Sequence, residues 1–85
     1  MKLKKGFLLQ QVAGMNLVVS TGEADFDGMI TLNDSGVFLW NRLAEGADRD
    51  VLASALAEEY GIPQSQAQTD TDAFLKTLAD AAIIE

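Results

Sequence analysis

The stretch Met29–Ala44, MITLNDSGVFLWNRLA, passes from strand to helix with one short polar step between. Met29-Ile30-Thr31-Leu32 is apolar and β-branched, and it follows Asp27-Gly28, a common turn pair. Asn33 or Asp34 then offers a side-chain oxygen to cap a helix N-terminus. Asp34 in the first turn also suits the positive end of the helix dipole. From Val37 the helix carries Val37, Phe38, Leu39, Trp40 and Leu43, apolar around most of its circumference. Such a helix is predicted to be central and buried, with the rest of the chain packed around it.

The 85 residues, 1–85, are expected to form one domain. A chain of this size buries only roughly 60–65% of its unfolded surface, so its stability is modest. A hydrophobic content of 48% is globular, not disordered. The chain has no cysteine, which excludes disulfides, thiol catalysis and cysteine metal sites and fits a reducing, cytoplasmic setting. It has no histidine either, so the commonest general base and the commonest metal ligand are missing. No cofactor and no metal are expected.

The net charge of −7 repels phosphate backbones and disfavours nucleic-acid binding. The only basic cluster is Lys2, Lys4 and Lys5, read as a solvated tail. As the start of a signal peptide it fails, because Gln10 and Gln11 interrupt the apolar run after Phe7-Leu8-Leu9. No segment approaches the roughly 18–20 apolar residues of a membrane span.

Taken in order, Phe7–Val12 reads as a first strand, Ala13-Gly14-Met15-Asn16 as a hairpin connection and Leu17–Ser20 as the partner strand. Phe7-Leu8-Leu9 breaks strict alternation and leaves the pairing face open. Thr21–Asp27 is an acidic loop whose Phe26 is expected to tuck onto the sheet, and Met29–Leu32 is the third strand. The first helix is expected to end near Glu45-Gly46, with Gly46 as its left-handed terminator. Asp48 caps a second helix with a stripe of Leu52, Ala55, Leu56 and Tyr60. Gly61 ends it, Ile62 folds back on its last turn, and Pro63 prevents continuation. A third helix starts around Gln64–Gln66, with Ala67, Thr71, Phe74, Leu75, Leu78 and Ala82 as its stripe. Ile83-Ile84 reads as a short extended piece against the core. Three strands followed by three helices predict an α+β fold, helices on one side of a small antiparallel sheet. At least one strand must then remain an edge able to accept an extended peptide, or a second copy of the chain in a homodimer.

No catalytic constellation is present. Ser35 has no histidine to activate it, and no motif links it to Lys76. Glu23-x-Asp25-x-Asp27-Gly28 lacks the spacing and the terminal glutamate of a calcium loop. Asp34-Ser35 is similar to the phosphopantetheine site of acyl or peptidyl carrier proteins. Gly36 stands where carriers have a bulky residue, and carriers are all-helical, so a helix cap is the favoured reading. Trp40 and Phe74 are read as core rather than as exposed anchors, and Met15 and Met29 as gap-fillers.

The order of elements, the segment Ile30-Thr31-Leu32-Asn33-Asp34-Ser35-Gly36 and the later Asp70-x-x-x-Phe74-Leu75-x-x-Leu78 together resemble the PqqD-like proteins, from about Phe7 to Ile84. Leu32-Asn33 followed by an acidic residue and serine is the most specific part. The resemblance implies a peptide-recognition module, also called a RiPP recognition element, similar to a winged helix-turn-helix. Such modules bind the leader segment of a ribosomally made precursor peptide and present it to a modifying enzyme. In pyrroloquinoline quinone biosynthesis that enzyme is a radical SAM protein. The leader adds along the third strand and lies against the third helix. Carried over, the backbone of Met29, Ile30, Thr31 and Leu32 would pair with the peptide. Thr71, Phe74, Leu75 and Leu78 are candidates to line the groove, with some of them turned to the core instead. The acidic loop and Ala44-Glu45-Gly46 depart from the members dedicated to that cofactor, so the general class is implied more firmly than the pathway.

Residues and resemblance agree on one point, that a domain with an open strand edge and no catalytic groups binds something peptide-like. The leading expectation is a non-catalytic peptide-binding chaperone. A winged-helix regulator is the alternative from another class, and no helix concentrates the Lys and Arg it needs. A carrier protein modified on Ser35 is a third. The acidic surface predicts a basic or mixed-charge partner.

Overall fold

The computed structural model describes residues 3–4, 6–20 and 29–84. The acidic loop and its Phe26 lie outside the described residues. The elements are β1 (Phe7–Val12), β2 (Met15–Ser20), β3 (Met29–Leu32), α1 (Asp34–Ala44), α2 (Arg49–Tyr60) and α3 (Gln64–Asp80). The expected α+β arrangement is therefore the observed one: three antiparallel strands in the order β1-β2-β3, followed by three helices.

The hairpin is tighter than the sequence reading. Val12 pairs with Met15, so the connection is Ala13-Gly14 alone, and β2 starts at Met15 rather than at Leu17. Both turn residues have positive φ, 52° and 78°, the combination that matches the twist of the flanking strands. The registers Leu9↔Val18 and Val18↔Ile30 settle the pairing face. Phe7, Leu9, Val18, Ile30 and Leu32 point to the helices, and Leu8, Val12 and Met15 stay exposed on the other side.

Local chemistry sets the helix boundaries. Asn33 caps α1 and Asp48 caps α2, whose Val51 N–H donates to it at 3.0 Å. Gly46 and Gly61 take left-handed backbone after α1 and α2. The Ile62 N–H then reaches back 3.2 Å to the Ala57 carbonyl, as the sequence predicts. In α1 the residues Leu39, Trp40 and Leu43 are buried, while Val37 and Phe38 are half-buried against them.

Two stripe assignments are corrected. Tyr60 is 45% exposed and meets Phe38 edge-on at 6.0 Å between ring centroids, while Ala53 takes a core place beside Leu52 and Leu56. Ala82 lies beyond α3 with φ 57°, exposed, because the chain turns there. The Ile83 N–H bonds back to the Leu78 carbonyl at 2.9 Å, and Ile83 becomes fully buried. Ile84 bridges Leu3, so the terminal piece packs as expected.

Val18, Leu32, Leu39, Trp40, Leu43, Leu52, Leu56, Ala67, Leu75, Leu78 and Ile83 make one core between sheet and helices. Each fully buried leucine contributes about 2 kcal/mol relative to exposure. That core fixes β3 on the sheet's border with α1 beneath it.

Candidate functional site

β2 pairs with β3 on one side only, through Asn16↔Leu32, Leu17↔Thr31, Val18↔Ile30 and Val19↔Met29. The other side of β3 has no strand neighbour among the described residues. Alternate residues of an edge strand turn their N–H and C=O away from the sheet, so this border offers main-chain donors and acceptors to a guest.

Beside the border runs a cleft of about 590 Å3. Ile30, Thr31 and Leu32 form one wall. The turn and α1 supply Asn33, Ser35, Gly36 and Leu39. The facing wall is α3, with Asp70, Ala73, Phe74 and Thr77. Their spacing of i, i+3, i+4 and i+7 is one helix face.

The turn between wall and floor is built tightly. Asn33 Oδ1 accepts the Gly36 N–H at 2.8 Å and the Ser35 hydroxyl at 3.0 Å. A Cβ on Gly36 would stand 3.2 Å from both Asn33 Oδ1 and Leu32 Cβ, so the bare glycine lets α1 start directly under β3. Ser35 is thus part of a helix cap, and the mixed sheet-and-helix fold is not that of the all-helical carriers.

The structure separates the predicted site residues. Ile30, Thr31 and Leu32 line the cleft, and Met29 continues the strand backbone. Phe74 is half-buried and lines the cleft from α3. Thr71, Leu75 and Leu78 do not: they are buried at 0%, 8% and 0% exposure, on the face of α3 turned to the core. About 100° per residue separates the two faces, so residues adjacent in sequence, Phe74 and Leu75, serve different surfaces. Asp70, Ala73 and Thr77 were missed because they are small or polar. The signal available was their helical spacing from Phe74.

A second hollow of about 370 Å3 continues past the α1 N-terminus, between Asp34, Leu56, Tyr60, Ile62 and Gln66. Asn33, Ser35 and Asp70 line both hollows and form the junction.

At the surface, Arg49 at the start of α2 grips Asp72 of α3 with two hydrogen bonds, 2.7 and 2.8 Å. The guanidinium holds the Asp72 carboxyl below its usual range, and Asp72, then Asp50, holds Arg49 above its own. Lys76, the one cation of α3, pairs with Asp80 at 3.0 Å. α3 therefore presents Asp70, Asp72 and Asp80 and a neutralised lysine, a surface that repels nucleic-acid phosphates. Among the described residues no acidic cluster could hold a metal ion. Among the described residues no helix is long and apolar enough to cross a membrane.

Two solved structures have the same fold. "TbiB1 in Complex with the TbiA(beta) Leader Peptide" is 20% identical, with a TM-score of 0.81 over 100% of this chain and 95% of that one. "Lasso peptide synthetase B1 complexed with the leader peptide" is 19% identical, with a TM-score of 0.78 over 99% and 95%. No curated protein sequence matches. The family model of coenzyme PQQ synthesis protein D (PqqD) matches residues 18–84, which hold the second half of the central strand, the border strand and all three helices. The chain belongs to the PqqD family.

Proposed function

We propose that this protein is a non-catalytic recognition module that binds the leader segment of a ribosomally made precursor peptide and presents it to a modifying enzyme. One observation carries the reading: among the described residues β3 is an open border, with a cleft alongside it. A guest strand pairs with the backbone of Met29, Ile30, Thr31 and Leu32, and its cleft-side residues meet Ile30, Leu39 and Phe74. Membership of the PqqD family and the leader peptides bound to both similar structures support the same reading. The enzyme served is a peptide-modifying one, of the radical SAM class where the pathway makes pyrroloquinoline quinone.

The test is selection of binders from a library of random peptides of about a dozen residues, with Ile30→Pro and Thr31→Pro as controls. Proline removes a backbone donor, and alternation means that one of the two sites faces outward. That variant is expected to stay folded and to lose at least about tenfold in affinity, or about 1.4 kcal/mol. The other removes a ladder bond to β2 and is expected to lower stability. Unchanged affinity in both, with folding retained, overturns the site.

A further inference from the structure

The junction between the two hollows carries an unanswered negative charge. Asp70 lines both of them. Its neighbour Asp72 is held by Arg49, and Asp80 by Lys76, but Asp70 makes no ion pair or side-chain hydrogen bond among the described residues. Lys4, Arg42, Arg49 and Lys76 are the described cations, and none of them lines either hollow. Asp34 shares the second hollow, but it sits in the first turn of α1, where the helix dipole already balances it. Asp70 stands in the interior of α3, away from either end, with no such compensation.

Spacing then specifies the guest. Asp70 and Phe74 are four apart on α3 and line the same cleft, which places their Cβ atoms about 5–6 Å apart. Residues i and i+2 of an extended strand are about 6.6–7 Å apart on one face. A guest strand whose cleft side follows this face of α3 would bring two successive cleft-side residues to these two places.

We infer that the peptides bound at β3 carry a lysine or arginine two positions from an apolar anchor, the anchor packing on Phe74 and the cation meeting Asp70. This deepens the leader-binding reading and rests on it. The net charge of −7 adds a favourable long-range field for such a peptide. Bidentate pairing favours arginine over lysine at the same place.

The experiment selects from the same random-peptide library with wild-type protein, Asp70→Asn and Asp70→Lys. Asp70 is exposed and unpaired, so both variants keep the wild-type melting curve. The wild-type pool is expected to show Lys or Arg at i±2 from an apolar residue. That preference disappears with Asp70→Asn and turns to Asp or Glu with Asp70→Lys. The best wild-type peptide is expected to lose about five- to tenfold in affinity against Asp70→Asn, and less at high salt. A wild-type pool that binds at β3 without a cation preference overturns the inference and leaves leader binding standing. A preference that persists in Asp70→Asn also overturns it. No wild-type enrichment beyond that of the two proline variants overturns leader binding and this inference together.

Discussion

The side-chain oxygen of Asn33 lies 2.8 Å from the backbone nitrogen of Gly36 and accepts its N–H. Together with the Val37 N–H bond to the Asn33 carbonyl, 2.9 Å, it closes the first turn of α1 directly after β3. Asn33→Ala is expected to cost about 1 kcal/mol and to lower Tm by about 4–8 °C. Asn33→Asp keeps the acceptor and most of the stability. Thermal melts of both variants check this, and equal Tm values for wild type and the alanine variant would contradict it.

Thr71 is fully buried, and its hydroxyl oxygen has no hydrogen-bond partner among the described residues. A buried hydroxyl left unpaired costs about 1–3 kcal/mol. Thr71→Val keeps the shape and removes the polar atom. It is expected to raise stability by on the order of 1 kcal/mol, read by urea unfolding. A drop in the urea midpoint would show that the hydroxyl is satisfied in solution.

Phe74 and Leu75 separate binding from folding. Leu75, 8% exposed in the core, is expected to cost about 2–5 kcal/mol as Leu75→Ala. Phe74 is half-buried on the cleft wall, so Phe74→Ala costs less in stability and at least about tenfold in affinity for a selected peptide. Calorimetry of unfolding and of peptide binding gives both numbers. Equal losses in both assays for the two variants would refute the division of faces.

The Arg49–Asp72 pair sets an acid limit. Its hydrogen bonds hold the Asp72 carboxyl below the ordinary value near about pH 4. The depressed folded-state value means that the pair stabilises above the unfolded pKa, and that this contribution fades as pH falls through the folded one. Asp72→Asn is thus expected to melt slightly lower than wild type at pH 7, with the gap closing below about pH 4 and in high salt. A gap that widens on acidification would reverse the sign.

The elements were legible because their ends are local chemistry: Asn33, Asp48 and Gly61-Ile62-Pro63 each act within a few residues. Ala13 was not legible as a turn residue, since an alanine at φ 52° is chosen by strand closure at Val12↔Met15, not by its own preference. Ala82 failed for a similar reason. Its step of four from Leu78 fits a helix, yet burial of Ile83 bends the chain at that point. The border strand followed from element order and the family resemblance. The assignment of α3 residues to core or cleft did not, because Thr71, Phe74, Leu75 and Leu78 form one broad apolar band. The packing of α2 on α3, together with the positions of β3 and α1, decides which part of that band stays open.

β3 is four residues long. About two of those residues can lend their amides and carbonyls to a visitor. A visitor that slides by two positions recovers every main-chain bond it gave up, yet its downstream end has shifted by about 7 Å. An enzyme working on that end would strike the wrong residue. If a leader lies along β3 as proposed, the register that the strand leaves open would be set by the wall of α3, through Phe74 and Asp70.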